Sequence, residues 1–188
     1  IIDIVKNTIQ QVSVPLTVGG GIKSLGDIES LLDVGATRVS VNSAAVREPK
    51  LVEEAAKKFG SERIVIAIDV ANSSITRSGF EVVTRGGADR TGRDALDWAR
   101  EVEDRGAGQI LPTSMDKDGT QEGYDIGLLK ALTQAVNIPV IASGGAGKLE
   151  HLYEAVVSGR TKALLVASMF HFGQFTIGEA KKYLNDKG

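Results

Sequence analysis

Short apolar runs and amphipathic stretches alternate along the chain, separated by glycines. Ile1, Ile2, Ile4, Val5, Ile9 and Val12 fall at helical spacing, so the chain reads as starting inside an amphipathic helix with no cap before it. It therefore reads as a piece of something longer or as a trimmed chain. The first strand is expected over residues 16–18, followed by Gly19-Gly20-Gly21, and a helix over 25–34 closed by Gly35. Further strands are expected over 38–41, 63–70, 109–113, 138–142 and 163–166. Helices are expected over 49–59, 94–105, 126–136, 149–158 and 177–184, most of them ended by a glycine. Residues 75–84, with Ser78-Gly79 at a turn, read as a hairpin inserted at a sheet edge, and 85–92 as a loop.

Strict alternation of strand and helix implies a parallel sheet with right-handed crossovers, an α/β fold. The polar and glycine-rich ends all follow strands, which is the functional face of a (βα) barrel of TIM type. An eight-unit barrel takes roughly 200–250 residues or more. Six βα units in 188 residues, preceded by a helix, fit one truncated by its first quarter. A doubly wound open sheet is the alternative, but it predicts no half-length repeat.

Such a repeat is present. Residues 14–23, VPLTVGGGIK, share their layout with 138–148, IPVIASGGAGK, so that Gly20 matches Gly144 and Gly21 matches Gly145. Each copy leads to a second apolar strand with a small polar end, at Asn42-Ser43 and at Ala167-Ser168. A strand that ends in glycines and feeds a helix gathers free N–H groups around an anion. Two such cups suggest a ligand with two phosphates. Pro112 conflicts with a central strand, because it removes a ladder donor.

Composition narrows the picture. The chain is 42% hydrophobic and 24% charged, as in a globular domain. A net charge of -2 gives no electrostatic case for nucleic acid or an anionic membrane. Cysteine is absent, which rules out disulfide and thiolate chemistry and is compatible with a cytoplasmic location. No apolar run approaches the ~18 residues of a membrane span.

Asp69 closes the apolar strand 64–68 and suits proton transfer; it could equally cap a helix or hold a turn. Residues 113–120, TSMDKDGT, could hold a metal, touch substrate or form a solvated turn, without EF-hand spacing. His151 reads as a helix-surface residue, His171 as a loop residue and Trp98 as core. Two histidines support neither a Ser-His-Asp triad nor a His-rich metal site.

With VGGGI (18–22), VSVNSAAV (39–46), VIAIDV (65–70), TSMDKDGT (113–120), IASGGAG (141–147) and ASMFHF (167–172) in order, the sequence resembles the HisF family. These are the cyclase subunits of imidazole glycerol phosphate synthase, and the sister phosphosugar isomerase shares the Gly turns. The resemblance implies a (βα)8 barrel in histidine biosynthesis. It implies a ribulosyl-formimino aminoimidazole carboxamide nucleotide with a phosphate at each end as substrate, and ammonia as co-substrate. It implies no cofactor and no metal.

Matched by position, Asp69 falls on a catalytic aspartate; Gly21, Asn42 and Ser43 fall on one phosphate cup. Gly119, Ser143, Gly145, Ala167 and Ser168 fall on the other, and Thr113 and Asp118 on substrate contacts. The family's first two βα units, with a further catalytic aspartate and a lysine, have no counterpart in this sequence. Loss of one general acid or base costs ~10²–10⁴-fold, so the chain alone is expected to be weak or inactive. A glutaminase subunit docks at the family's barrel base; Thr37 and Gln109 stand where the family carries acids facing it. Open sheet edges at 16–18 and 163–166 predict self-association, and a non-catalytic self-associating module or a related phosphosugar isomerase is the alternative function.

Overall fold

A computed structural model describes residues 2–188; Ile1, counted above in the first helix, lies outside the described residues. Helix α1 (Ile2–Ile9) turns Val5 inward. Strand β1 (Thr17–Gly19), helix α2 (Leu25–Asp33), strand β2 (Arg38–Val41) and helices α3 (Ser43–Arg47) and α4 (Lys50–Phe59) follow. Strands β3 (Ile64–Asn72), β4 (Phe80–Thr84) and β5 (Asp89–Asp94) lead into α5 (Ala95–Asp104). Then come β6 (Gln109–Ser114), α6 (Ile126–Ala135), β7 (Ile141–Ala142), α7 (Leu149–Val157), β8 (Ala163–Leu164), α8 (Ser168–His171) and α9 (Ile177–Lys187).

Helix starts are written in the sequence. Ser24 and Asp27 form a capping box on α2, and Thr176 and Glu179 form another on α9. Asp94 and Asp125 cap α5 and α6 through their carboxylates. The buried positions of these helices face the sheet. Ile64, Ile66 and Ile68 of β3 are sealed between Ile28, Val52, Trp98 and Leu132 in one continuous core. Burying each such side chain is worth roughly 1.5–3 kcal/mol.

The six parallel strands stand in the order β1-β2-β3-β6-β7-β8. This is the expected α/β fold with parallel strands. Among the described residues β6 pairs with the β7 segment through the isolated bridges Ile110–Val140 and Thr113–Ser143, which flank β7, rather than through a continuous ladder. Pro112 supplies the reason. The N–H of Ile110 donates to Pro139 (3.0 Å) and that of Ser114 to Ser143 (3.4 Å), so position 112 aims its missing donor at the same neighbour. The conflict is thus confined to the β6–β7 seam, and the β3–β6 register runs unbroken through Pro112. Among the described residues β1 and β8 do not pair with each other, so the sheet is open.

The insertion after β3 differs from expectation. Residues 85–92 are not a plain loop: β5 begins at Asp89 and pairs antiparallel with β4. Nor is the hairpin a lateral edge. β4 pairs with Asp69–Asn72, beyond the last β2–β3 pair at Ile66, so the β4–β5 hairpin extends β3 past the sheet's carboxyl rim. The DRTGRD stretch of β5 has no apolar alternation, which hid it from a periodicity reading. Helix α3, begun at Asn42, was likewise unforeseen.

Candidate active site

Because all six strands run parallel, their carboxyl ends share one rim. Along it lie Gly20-Gly21 after β1, Asn42-Ser43 after β2, Asp69 in β3, Thr113 in β6, Ser143-Gly144-Gly145 after β7 and Ala167-Ser168 after β8. Asp69 stands between the two sets of candidate anion-binding residues.

The second set closes into one cup. Asp118, Gly119, Ser143, Gly144, Gly145, Ala167 and Ser168 line one solvent-open pocket together with Gln121, Ala146 and Leu165. Among the described residues the amides of Gly119, Gly144, Gly145, Ala146, Ser168 and Met169 donate to no protein acceptor. No Lys or Arg lines the cup. The donors such a cup offers an anion are backbone N–H groups rather than cationic side chains.

The cup is shaped by the loop after β6. Gly145 has φ +103°, and a Cβ on it would collide with the carbonyl oxygen of Gly123. The Gly123 amide donates to the Gly145 carbonyl at 2.8 Å, so the two loops lie backbone on backbone. Gly147 packs the same way on Gln121. The buried Ser114 hydroxyl donates to Asp125 (3.2 Å), whose other oxygen caps α6 by accepting from Leu128 (3.0 Å). Tyr124 donates to the Leu165 carbonyl at 2.9 Å and ties the loop to β8; burial pushes its phenol well above the ordinary tyrosine value.

The first set is more open. Nothing lies within 4 Å of a Cβ built on Gly20 or Gly21, whose φ values are +94° and +73°. The hollow beside them is walled by Ile2, Ile22, Asp27, Ser30 and Leu31 of α1, α2 and the intervening turn; Asn42 and Ser43 are not on its wall. These four residues share adjacent strand ends rather than one enclosed cup.

Asp69 is half-buried and lies opposite Thr113 in the β3–β6 register. Burial raises its carboxyl above the ordinary value, and the charge of Asp118 adds to the rise. The side-chain amide of Asn42 and the backbone N–H of Gly86 work against it by stabilising the anion. Asn42 Oδ1 is buried without a hydrogen-bond partner. The two acids of TSMDKDGT divide their work: Asp116 accepts from the Asn72 amide (2.8 Å), whereas Asp118 lines the second cup.

The sequence profile of the histidine biosynthesis protein family matches residues 1–176. The chain belongs to this family. Its relatives place it in the HisF branch. A Microcystis aeruginosa (strain NIES-843 / IAM M-2473) protein named imidazole glycerol phosphate synthase subunit HisF is 56% identical over 188 residues, 100% of this chain and 74% of that protein. The protein of the same name from Trichormus variabilis (strain ATCC 29413 / PCC 7937) is 54% identical over 187 residues, 99% of this chain and 73% of its own length. That from Nostoc sp. (strain PCC 7120 / SAG 25.82 / UTEX 2576) is 53% identical, with 99% and 72% covered.

Within this HisF-family site, two contributors escaped the sequence reading. His151 is not a plain helix-surface residue: its Nδ1 accepts from the Gly147 amide at 3.2 Å and its ring lies against Gly123. Its position three residues into a helix that follows a glycine turn was the available signal. Gly86 arrives from the β4–β5 turn, which no motif marked.

A raised Asp69 makes the folded state the better proton binder. Its stabilising contribution is complete below the ordinary aspartate value of 3.8 and is lost as pH rises through the raised midpoint. Asp69→Asn is expected to flatten that part of the stability curve, measured by urea unfolding across a pH series. A parent–variant difference that stays constant with pH contradicts this reading of Asp69.

Proposed function

We propose that this chain is a HisF-type cyclase of histidine biosynthesis and that its sheet is an arc of a (βα) barrel of TIM type. On this reading it binds a ribulosyl-formimino aminoimidazole carboxamide nucleotide across the rim, one phosphate at each set of glycine turns, and uses ammonia to close the imidazole ring. The observation that carries the reading is the single pocket lined by Asp118, Gly119, Ser143, Gly144, Gly145, Ala167 and Ser168, among which the amides of Gly119, Gly144, Gly145 and Ser168 have no protein acceptor. Gly20, Gly21, Asn42 and Ser43 take the other phosphate, and Thr113 and Asp118 contact the substrate between them.

Asp69 is the proton carrier. A carboxyl with a raised proton affinity can both take and return a proton near neutral pH more readily than an ordinary aspartate. At the opposite face, the Thr37 hydroxyl accepts from the Leu16 amide (3.1 Å), and Gln109 opens β6. Neither offers an acidic contact to a glutaminase, so free ammonium is the nitrogen source to test. The absence of cysteine suits a cytoplasmic enzyme.

Substrate consumption is expected to be ammonium-dependent and accompanied by one-to-one binding in calorimetry. Asp69→Asn is expected to keep binding and lower kcat by ~10²–10⁴-fold. A variant with parental kcat contradicts the role of Asp69, and failure of the chain to bind the substrate contradicts the function.

A second reading concerns assembly. The outer edges of β1 and β8 are unpaired among the described residues, with Val14 and Leu165 67% and 40% exposed beside them. Such edges pair with a second copy of the chain. Sedimentation at micromolar concentration is expected to show dimers or larger species; a monomer contradicts it.

A further inference from the structure

The second cup has an acid on its wall and no cation. Asp118 lines it, no Lys or Arg does, and the neighbouring Lys117 pairs with Glu122 instead (3.7 Å). A cup of that kind holds an anion through neutral donors, and hydrogen bonds to an ion are the strong ones. The backbone amides of the glycine turns are one set of donors. Gln121 supplies another kind.

Gln121 lies on the wall of the cup, half-buried, in the loop after β6. It sits one residue past TSMDKDGT, outside every motif that carried the family likeness. Its φ is +59°, a left-handed conformation at a residue that is not glycine. Such a backbone persists only where its surroundings hold it. Here they do. A Cβ on Gly147 would collide with the carbonyl oxygen and Cβ of Gln121, so residue 121 is pressed onto the turn after β7. On one side Thr120 bonds back to the Lys117 carbonyl through its N–H (3.1 Å) and its hydroxyl (2.8 Å). On the other, the Glu122 amide donates to the Thr120 hydroxyl (3.2 Å). The root of the Gln121 side chain is therefore fixed relative to the glycine turn.

Its far end is held by a different segment. Gln174 Nε2 donates to Gln121 Oε1 at 3.2 Å. Gln174 follows α8, and its own amide donates at 3.0 Å to the carbonyl of Met169, the fully buried neighbour of Ser168. With its oxygen taken, the Gln121 amide has one sense. Its Nε2 keeps both hydrogens and, among the described residues, donates to no protein acceptor.

We propose that Gln121 is a phosphate-binding residue of the second cup, donating from Nε2 beside the backbone amides, and that Gln174 is a positioning residue that orients it. This deepens the sugar-phosphate reading of the cup and rests on it.

The test uses the ¹⁵N-labelled 188-residue chain and inorganic phosphate, read by NMR at backbone and side-chain amides. In the parent, the Gln121 side-chain NH₂ signals, assigned by their loss in Gln121→Met, are expected to shift saturably together with Gly144, Gly145 and Ser168. Gln121→Met keeps the length of the side chain without its donor; Gln121→Gly removes the side chain and suits the positive φ. Both are expected to raise the Kd at Gly144, Gly145 and Ser168 by about tenfold, the worth of one hydrogen bond to a charged group. Shifts at Gly20, Gly21 and Ser43 are expected to stay as in the parent. In Gln174→Met the Gln121 NH₂ response to phosphate is expected to shrink, a signature that a merely structural bond leaves intact. Parental affinity at the second set in both Gln121 variants overturns the proposal alone, as does equal weakening at both sets. A parent with no saturable shift at Gly144, Gly145 and Ser168 overturns the phosphate reading of the cup and the proposal with it.

Discussion

The site depends on one place where two backbones touch. Gly145 lies against Gly123 with no room for a Cβ, in a conformation that L side chains rarely adopt. Any side chain there pushes the loop after β6 off the turn after β7. That loop carries Asp118 and Gly119 into the cup, holds Asn72 through Asp116, and ties to β8 through Tyr124. Glycine is therefore required at 145 twice over, by φ and by contact. The unpaired amides around it follow from the same geometry, since a turn pressed against another loop has no acceptor on its open side.

Electrostatics at Asp69 is a balance rather than a single effect. Burial and the nearby Asp118 favour the protonated acid; Asn42 and Gly86 favour the anion. A proton carrier benefits from such opposition, because either form is then accessible within a modest pH range. Three separate segments supply these contacts, from the end of β2, the hairpin and the loop after β6. The parallel sheet brings them together, placing every strand's carboxyl end on the same rim.

Much of this was legible in the sequence. The glycine turns at 19–21 and 143–147 read as places where free N–H groups gather; in the structure Gly144 and Gly145 add positive φ and close backbone approach. Asp69 stood out as an acid at the tip of an otherwise apolar strand. What escaped had no periodic or motif signal. β5 is a strand made almost wholly of polar residues, held by the side chains of Glu81 and Thr91 rather than by burial. His151 acts through one ring nitrogen on a turn four residues back. Pro112 looked like an error in a central strand until the sheet showed which neighbour its missing donor faces.

The central claim is that the glycine turns of this HisF-family chain present free amides for phosphate on one rim, with Asp69 between them. Titration of the ¹⁵N-labelled chain with inorganic phosphate, followed by amide chemical shifts, tests it most directly. The account predicts saturable shifts at Gly119, Gly144, Gly145 and Ser168, a second set at Gly20, Gly21 and Ser43, and none at Gly35 or Gly108 on the opposite face. Shifts confined to the opposite face, or none at either set of turns, would contradict it.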